Sequence, residues 1–146
     1  MEKSRVRILI VDDEVGILEA LQTHLEMDGY EVLTASSAQE ALEEFKKQKK
    51  IHIVLTDINM PNMDGIELLE RIKMASANTV VIMITAYTSL MKVANSRTYG
   101  ASDYLLKPFR DLSEVDAVID RAYEQITRWE DILAETLEAK KQKTTT

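Results

Sequence analysis

Val6-Arg7-Ile8-Leu9-Ile10-Val11-Asp12-Asp13 is an almost unbroken apolar run that stops at two carboxylates. A strand with one face in water alternates apolar and polar residues, whereas a strand covered on both faces need not. The run therefore predicts a buried strand of a parallel sheet, with Asp12 and Asp13 at its carboxyl end. Four further runs read as strands: Tyr30–Thr34, His52–Thr56, Val80–Ile84 and Asp103–Leu106.

Between the runs the apolar period changes to that of helices. Ile17, Leu21 and Leu25 recur every four residues; Ala38, Leu42 and Phe45, and then Ile66, Leu69 and Ile72, keep spacings of three or four. Ser37 with Glu40 reads as a capping box, and Asp64 with Glu67 and Asp111 with Glu114 are Asp-headed versions of it. Gly29 and Gly100 stand where helices should stop. Strands alternating with helices predict an α/β fold, a doubly wound sheet with helices on both faces.

The 146 residues suit one domain, and 45% apolar with 29% charged residues is the balance of a globular protein. A formal net charge of −7 opposes a general nucleic-acid surface. The chain has no cysteine, which excludes disulfides, thiolate metal sites and thiol nucleophiles. No run approaches the ~20 apolar residues of a membrane span. The amino terminus has no apolar leader, so the expected location is cytoplasmic, away from membranes.

In doubly wound sheets, ligands bind beyond the carboxyl ends of the strands. The first strand ends in Asp12 and Asp13, the third in Asp57, the fourth in Thr85 and the fifth in Lys107; the second offers only Ala35 and Ser36. Three converging carboxylates repel one another, and a hard divalent cation relieves that repulsion. Mg²⁺ suits an all-oxygen set, with Mn²⁺ as a substitute. The three acids carry −3, while one such ion and Lys107 return +3. Asp57 is then a candidate nucleophile for a phosphoryl group. Lys107 would neutralise the transferring oxygens and Thr85 would donate a hydroxyl hydrogen bond to them.

Four segments carry these residues: Ile10-Val11-Asp12-Asp13-Glu14, Leu55-Thr56-Asp57-Ile58-Asn59-Met60-Pro61-Asn62-Met63-Asp64-Gly65, Ile84-Thr85-Ala86 and Asp103-Tyr104-Leu105-Leu106-Lys107-Pro108-Phe109. In order and spacing they resemble the CheY-like receiver domains of bacterial two-component response regulators, over roughly residues 6 to 125. The resemblance implies a five-stranded, flavodoxin-like sheet of order 2-1-3-4-5. It implies phosphorylation of Asp57 by a partner histidine kinase or phosphotransfer protein. It also implies Mg²⁺ bound directly by Asp13, mainly through water by Asp12, and by Asp57 and the backbone carbonyl of Asn59. Thr85 and Tyr104 would form a switch pair, and Pro108 would follow a cis peptide bond that aims Lys107 inward. Ala86, Asn59 and Tyr87 would flank the phosphoryl group, although Asn59 and Tyr87 also fit as ordinary loop side chains. Asp64 is a helix cap with no catalytic part. His24 is expected on a helix surface and His52 at a strand start.

Two other functions compete. A Mg²⁺-dependent phosphohydrolase with an aspartyl nucleophile commonly needs a second Asp two residues on, where this chain has Asn59. Enzymatic turnover of external phosphoesters is therefore not expected, beyond self-phosphorylation and autodephosphorylation. An unphosphorylated scaffold is the other reading, and the intact acid cluster argues against it. Downstream, either a protein partner or an absent output domain would receive the signal.

The expected division is a receiver domain over residues 1–127 and a helical extension over 128–146. Leu112, Val115, Ile119, Ala122, Ile126, Trp129 and Leu133 follow a heptad-like seam that runs past the expected domain end. Trp129, Ile132, Leu133 and Leu137 need a cover: the same helix of a second copy in a homodimer, the chain's own domain, or an absent partner.

Overall fold

Each strand's apolar run is divided by the pleat between two cores, and this explains why the runs do not alternate. Ile8 and Ile10, Ile53 and Leu55, and Val80, Ile82 and Ile84 enter one core; Leu9 and Val11, Val54, and Val81 and Met83 enter the other. The computed structural model describes residues 1–47, 50–86, 94, 97 and 99–144. Its strands are β1 (Arg7–Val11), β2 (Glu31–Ala35), β3 (Ile53–Asp57), β4 (Val80–Thr85) and β5 (Asp103–Leu106). They form one sheet in the order β2-β1-β3-β4-β5, with every neighbouring pair parallel. The described helices are α1 (Val15–Met27), α2 (Ala38–Lys47), α3 (Gly65–Ala75) and α4 (Ser113–Thr144). This is the five-stranded flavodoxin-like fold that the sequence predicts, with a long terminal helix.

α1 and α4 cover one face. Leu18, Leu21 and Leu25 pack there beside Val115, Val118, Ile119, Ala122 and Ile126. α2 and α3 cover the other through Ala38, Ala41, Leu68, Leu69 and Ile72. The buried stripe differs slightly from the predicted spacing. Leu18 lies deeper than Ile17, while Leu42, Phe45 and Ile66 sit at the margin of their core. Each fully buried Leu or Ile contributes roughly 1.5–3 kcal/mol, so small rotations about a helix axis settle which neighbour is covered.

The caps show how local chemistry fixes the loops. Asp64 accepts the amides of Ile66 (3.0 Å) and Glu67 (2.9 Å), as expected of a helix cap. Ser37 accepts the Glu40 amide at 3.1 Å, but the Glu40 carboxylate reaches one residue further back than a capping box, to the Ser36 amide and hydroxyl. Asp111 accepts the Ser113 amide at 2.8 Å, so its bond goes to the first residue of α4. Gly29, at φ 103°, closes α1, with the Tyr30 amide donating to Leu25 O. Gly100 is likewise left-handed, at φ 98°.

His52 does more than begin a strand. It is buried, and its Nδ1 accepts the Arg7 amide at 3.0 Å, pinning β1 beside the start of β3. Burial and the charge of Lys50 hold its pKa below 6.5, so the ring is neutral at pH 7. His24 ties α1 to α4 through Asp116, with its Nε2 2.7 Å from Oδ1.

One glycine sets how closely α3 approaches β3. A Cβ on Gly65 would lie 2.2 Å from the carbonyl oxygen of Asp57 and 2.8 Å from Ile58 Cα. Both are backbone atoms and cannot rotate away. Gly65→Ala is expected to destabilise the fold by about 1–3 kcal/mol, measurable by denaturant unfolding, with amide shifts concentrated at Asp57 and Ile58 in NMR spectra.

Candidate functional site

The parallel sheet brings all its strand ends to one edge, and the predicted polar residues meet there. Asp12 follows β1, Asp57 ends β3, Thr85 ends β4 and Lys107 follows β5. One carboxylate oxygen from each of Asp12, Asp13 and Asp57 lies within 4.8 Å of the other two. Asp12 and Asp57 are buried, whereas Asp13 is exposed. Lys107 Nζ stands 2.8 Å from Asp12 Oδ2, 3.2 Å from Asp57 Oδ2 and 3.7 Å from Glu14 Oε1. The bond to Asp57 is a directed hydrogen bond.

The remaining oxygens are partly engaged. Asp57 Oδ1 accepts the Asn59 amide at 3.3 Å, and Asp12 Oδ1 accepts the Glu14 amide at 2.9 Å. Asp12 Oδ2 is buried and, apart from its charge pairing with Lys107, receives no hydrogen bond. A buried carboxylate oxygen of this kind, between an exposed acid and a second buried one, fits an oxygen-preferring divalent cation such as Mg²⁺.

Charge and burial oppose each other at Asp57. Desolvation pushes its pKa up; the Lys107 charge pulls it down and Asp12 adds to the rise, for a net increase above 3.8. Lys107 feels the reverse. Burial alone lowers its pKa, but the contacts with Asp12 and Asp57 outweigh burial and raise it above 10.5. The lysine is therefore charged across the physiological range.

Thr85 is buried, and its hydroxyl donates to the carbonyl of Ala86 at 3.1 Å. Tyr104 is half-buried. The β4–β5 register sets Met83 opposite Tyr104 and Thr85 opposite Leu106, so Thr85 and Tyr104 share a sheet face two positions apart. Tyr104 packs on the core that contains Met83. Asn59 is exposed beside Asp57. The Lys107–Pro108 bond is cis. Tyr87 lies outside the described residues. Asp64 stays a cap. The structure adds two residues that sequence reasoning passed over. Glu14 completes an acidic triplet with Asp12 and Asp13 and reaches toward Lys107. Thr56 bonds its hydroxyl to the Asp57 carbonyl at 3.1 Å, stiffening the strand end.

The family model described as "Response regulator receiver domain" matches residues 8–120. The chain belongs to that family. This receiver is 40% identical over 113 residues to sporulation initiation phosphotransferase F of Bacillus subtilis, covering 77% of this chain and 90% of that one. It is 40% identical over 118 residues to the regulatory protein AtoC of Escherichia coli, covering 80% of this chain but 25% of that one. Against several curated relatives the receiver spans only a quarter to under half of their length. Among solved structures, a response regulator receiver domain from Clostridium thermocellum superposes with a TM-score of 0.79 at 34% identity, over 85% of this chain and 98% of that one. The receiver is thus a component of two-component signalling. Among the described residues, no helix is long and apolar enough to cross a membrane.

The shifted carboxyl yields a sign. Because the folded pKa of Asp57 lies above its ordinary 3.8, ionisation costs folding energy, absent at low pH and complete above the folded value. In EDTA, Asp57→Asn is expected to raise the unfolding temperature at pH 7, with the gain shrinking toward pH 3, as followed by thermal unfolding across pH.

Proposed function

We propose that this receiver takes a phosphoryl group on Asp57 from a phosphohistidine of a kinase or phosphotransfer protein and thereby switches its protein contacts. The observation that carries the reading is the meeting of Asp12, Asp13 and Asp57 with Lys107 at one sheet edge. A divalent cation, Mg²⁺ or Mn²⁺, would be held by Asp12, Asp13, Asp57 and the Asn59 carbonyl and would supply charge neutralisation for the incoming phosphoryl oxygens.

Asp57 presents Oδ2 to Lys107 and Oδ1 to the Asn59 amide, so its orientation is set before a donor arrives. In the transfer, a carboxylate oxygen forms the O–P bond as the donor's N–P bond breaks, and that electron pair leaves with the imidazole nitrogen. Lys107 stays protonated and stabilises the negative oxygens. The Thr85 hydroxyl, now bonded to Ala86 O, can turn to the new phosphoryl group. That turn vacates space on the face that Tyr104 shares, and so couples the two residues as a switch pair. Asn59, two residues beyond Asp57, has no proton to exchange as an acid would. This supports a single phosphorylation event over a turnover enzyme, and the intact cluster speaks against a mere scaffold.

Incubation with acetyl phosphate and Mg²⁺ should add the mass of one phosphoryl group to the intact chain, and Asp57→Ala should show no gain. Full labelling of Asp57→Ala would overturn the assignment. Asp13→Ala should weaken Mg²⁺ binding on the order of tenfold or more, and by more than Asp12→Ala does. An unchanged titration in Asp13→Ala would remove it as the direct ligand.

A further inference from the structure

Where α4 leaves the core it passes the sheet edge opposite the acid cluster, and a cavity of about 310 Å³ lies there. That size is at the lower end of small-molecule sites, which run from about 300 to 1,000 Å³. One wall comes from α4: Ile126, Trp129 and Ile132 recur at spacings of three and so share a helix face. The facing walls come from His52 just before β3, Val80 at the start of β4, Lys73 near the end of α3 and the turn that follows it. Trp129 and Ile132 are thus turned toward the chain's own domain, whereas Leu133 and Leu137 take no part in the cavity.

The chain has a formal net charge of −7, yet three cations, Lys50, Lys73 and Arg128, line this cavity against one acid, Glu130. Lys73 is half-buried, and its Nζ donates to the carbonyls of Thr79 at 2.6 Å and Ala77 at 3.3 Å. Among the described residues no carboxylate pairs with it, and burial lowers its pKa with no acid to offset the shift. An ammonium has three N–H donors, so one is left over. His52 supplies a second spare donor. Its Nδ1 accepts the Arg7 amide, which puts the proton of the neutral ring on Nε2, and among the described residues nothing accepts from that proton. A cation withdrawn from water without a counter-charge loses solvation that an anion would return.

We propose that this cavity binds a small aromatic carboxylate, with its ring against Trp129 and its head on Lys73 and His52. The two oxygens of a carboxylate match the two spare donors. Trp129 is 46% exposed and presents an indole to a second ring, with Ile126 and Ile132 completing an apolar wall. The occupant touches α3, α4 and the starts of β3 and β4 at once, and so braces the projecting helix against the domain. The site lies at the edge remote from Asp57 and does not rest on the reading of that residue.

The probe is 2-naphthoate, added to the full chain and followed by NMR. Trp129 is the only tryptophan, so a single indole N–H signal reports on the cavity. That signal and the amides of His52, Lys73 and Asn78 should move, while those of Asp13 and Asp57 stay in place. 2-Naphthamide, which keeps the rings and lacks the charge, should bind about tenfold more weakly. Lys73→Met and Trp129→Ala should each weaken 2-naphthoate to a similar degree, and Leu133→Ala, on the same helix but outside the cavity, should bind as the parent chain does. No movement at millimolar 2-naphthoate, or shifts that leave out the Trp129 indole, overturns the site. Unchanged affinity in both Lys73→Met and Trp129→Ala overturns it as well. Equal binding of the amide overturns the carboxylate as the ligand, in a comparison that needs no variant to fold.

Discussion

The site depends on one cation among buried acids. Lys107 lies within 3.2 Å of both Asp12 and Asp57, two carboxylates that the sheet edge withdraws from water. Moving such charges out of water without a partner costs several kcal/mol each. The lysine makes the arrangement tolerable but does not neutralise it, because Asp13 and Glu14 add further negative charge at the rim. The parallel sheet holds the conflict in place. Its strand ends cannot move apart without breaking ladders that run through two cores.

Because the acids stand on different strands, the geometry is a property of the sheet order. β1 and β3 are neighbours only because the chain crosses from β2 to the far side of β1. That crossing opens the edge at which Asp12 and Asp57 face each other. The Gly65 contact closes the arrangement from behind, since α3 begins against the backbone of the residue that bears the central carboxylate. Packing in the second core and chemistry at the edge are therefore linked through a few backbone atoms.

Much of this was legible in the sequence, for physical reasons. Runs such as Ile8–Val11 and Val80–Ile84 signal strands buried on two faces, and with the helical spacings between them they lead to a doubly wound sheet. Once that sheet is accepted, Asp12, Asp13, Asp57, Thr85 and Lys107 fall together as strand-end residues. What escaped depends on atoms rather than on periodicity. Nothing in the spacing shows that His52 accepts the Arg7 amide, or that the Glu40 carboxylate bonds to Ser36. Glu14 escaped because the two acids before it already accounted for the site, although three successive acids after a strand were a usable signal. Leu18 outranked Ile17 because a helix settles by rotation, which a four-residue count does not resolve.

α4 is at once a wall of the core and a rod that leaves it. Its first turns are fixed to β4 and β5 by the buried valines and isoleucines, and the helix carries no Gly or Pro at which to bend. Some 18 residues, about 27 Å, extend beyond Ile126 at ~1.5 Å per residue. A tilt of about five degrees at the sheet therefore displaces the tip by roughly 2 Å, given that length. The helix is a lever whose short arm lies beside the strand that bears Tyr104, and whose long arm magnifies whatever small repacking occurs there.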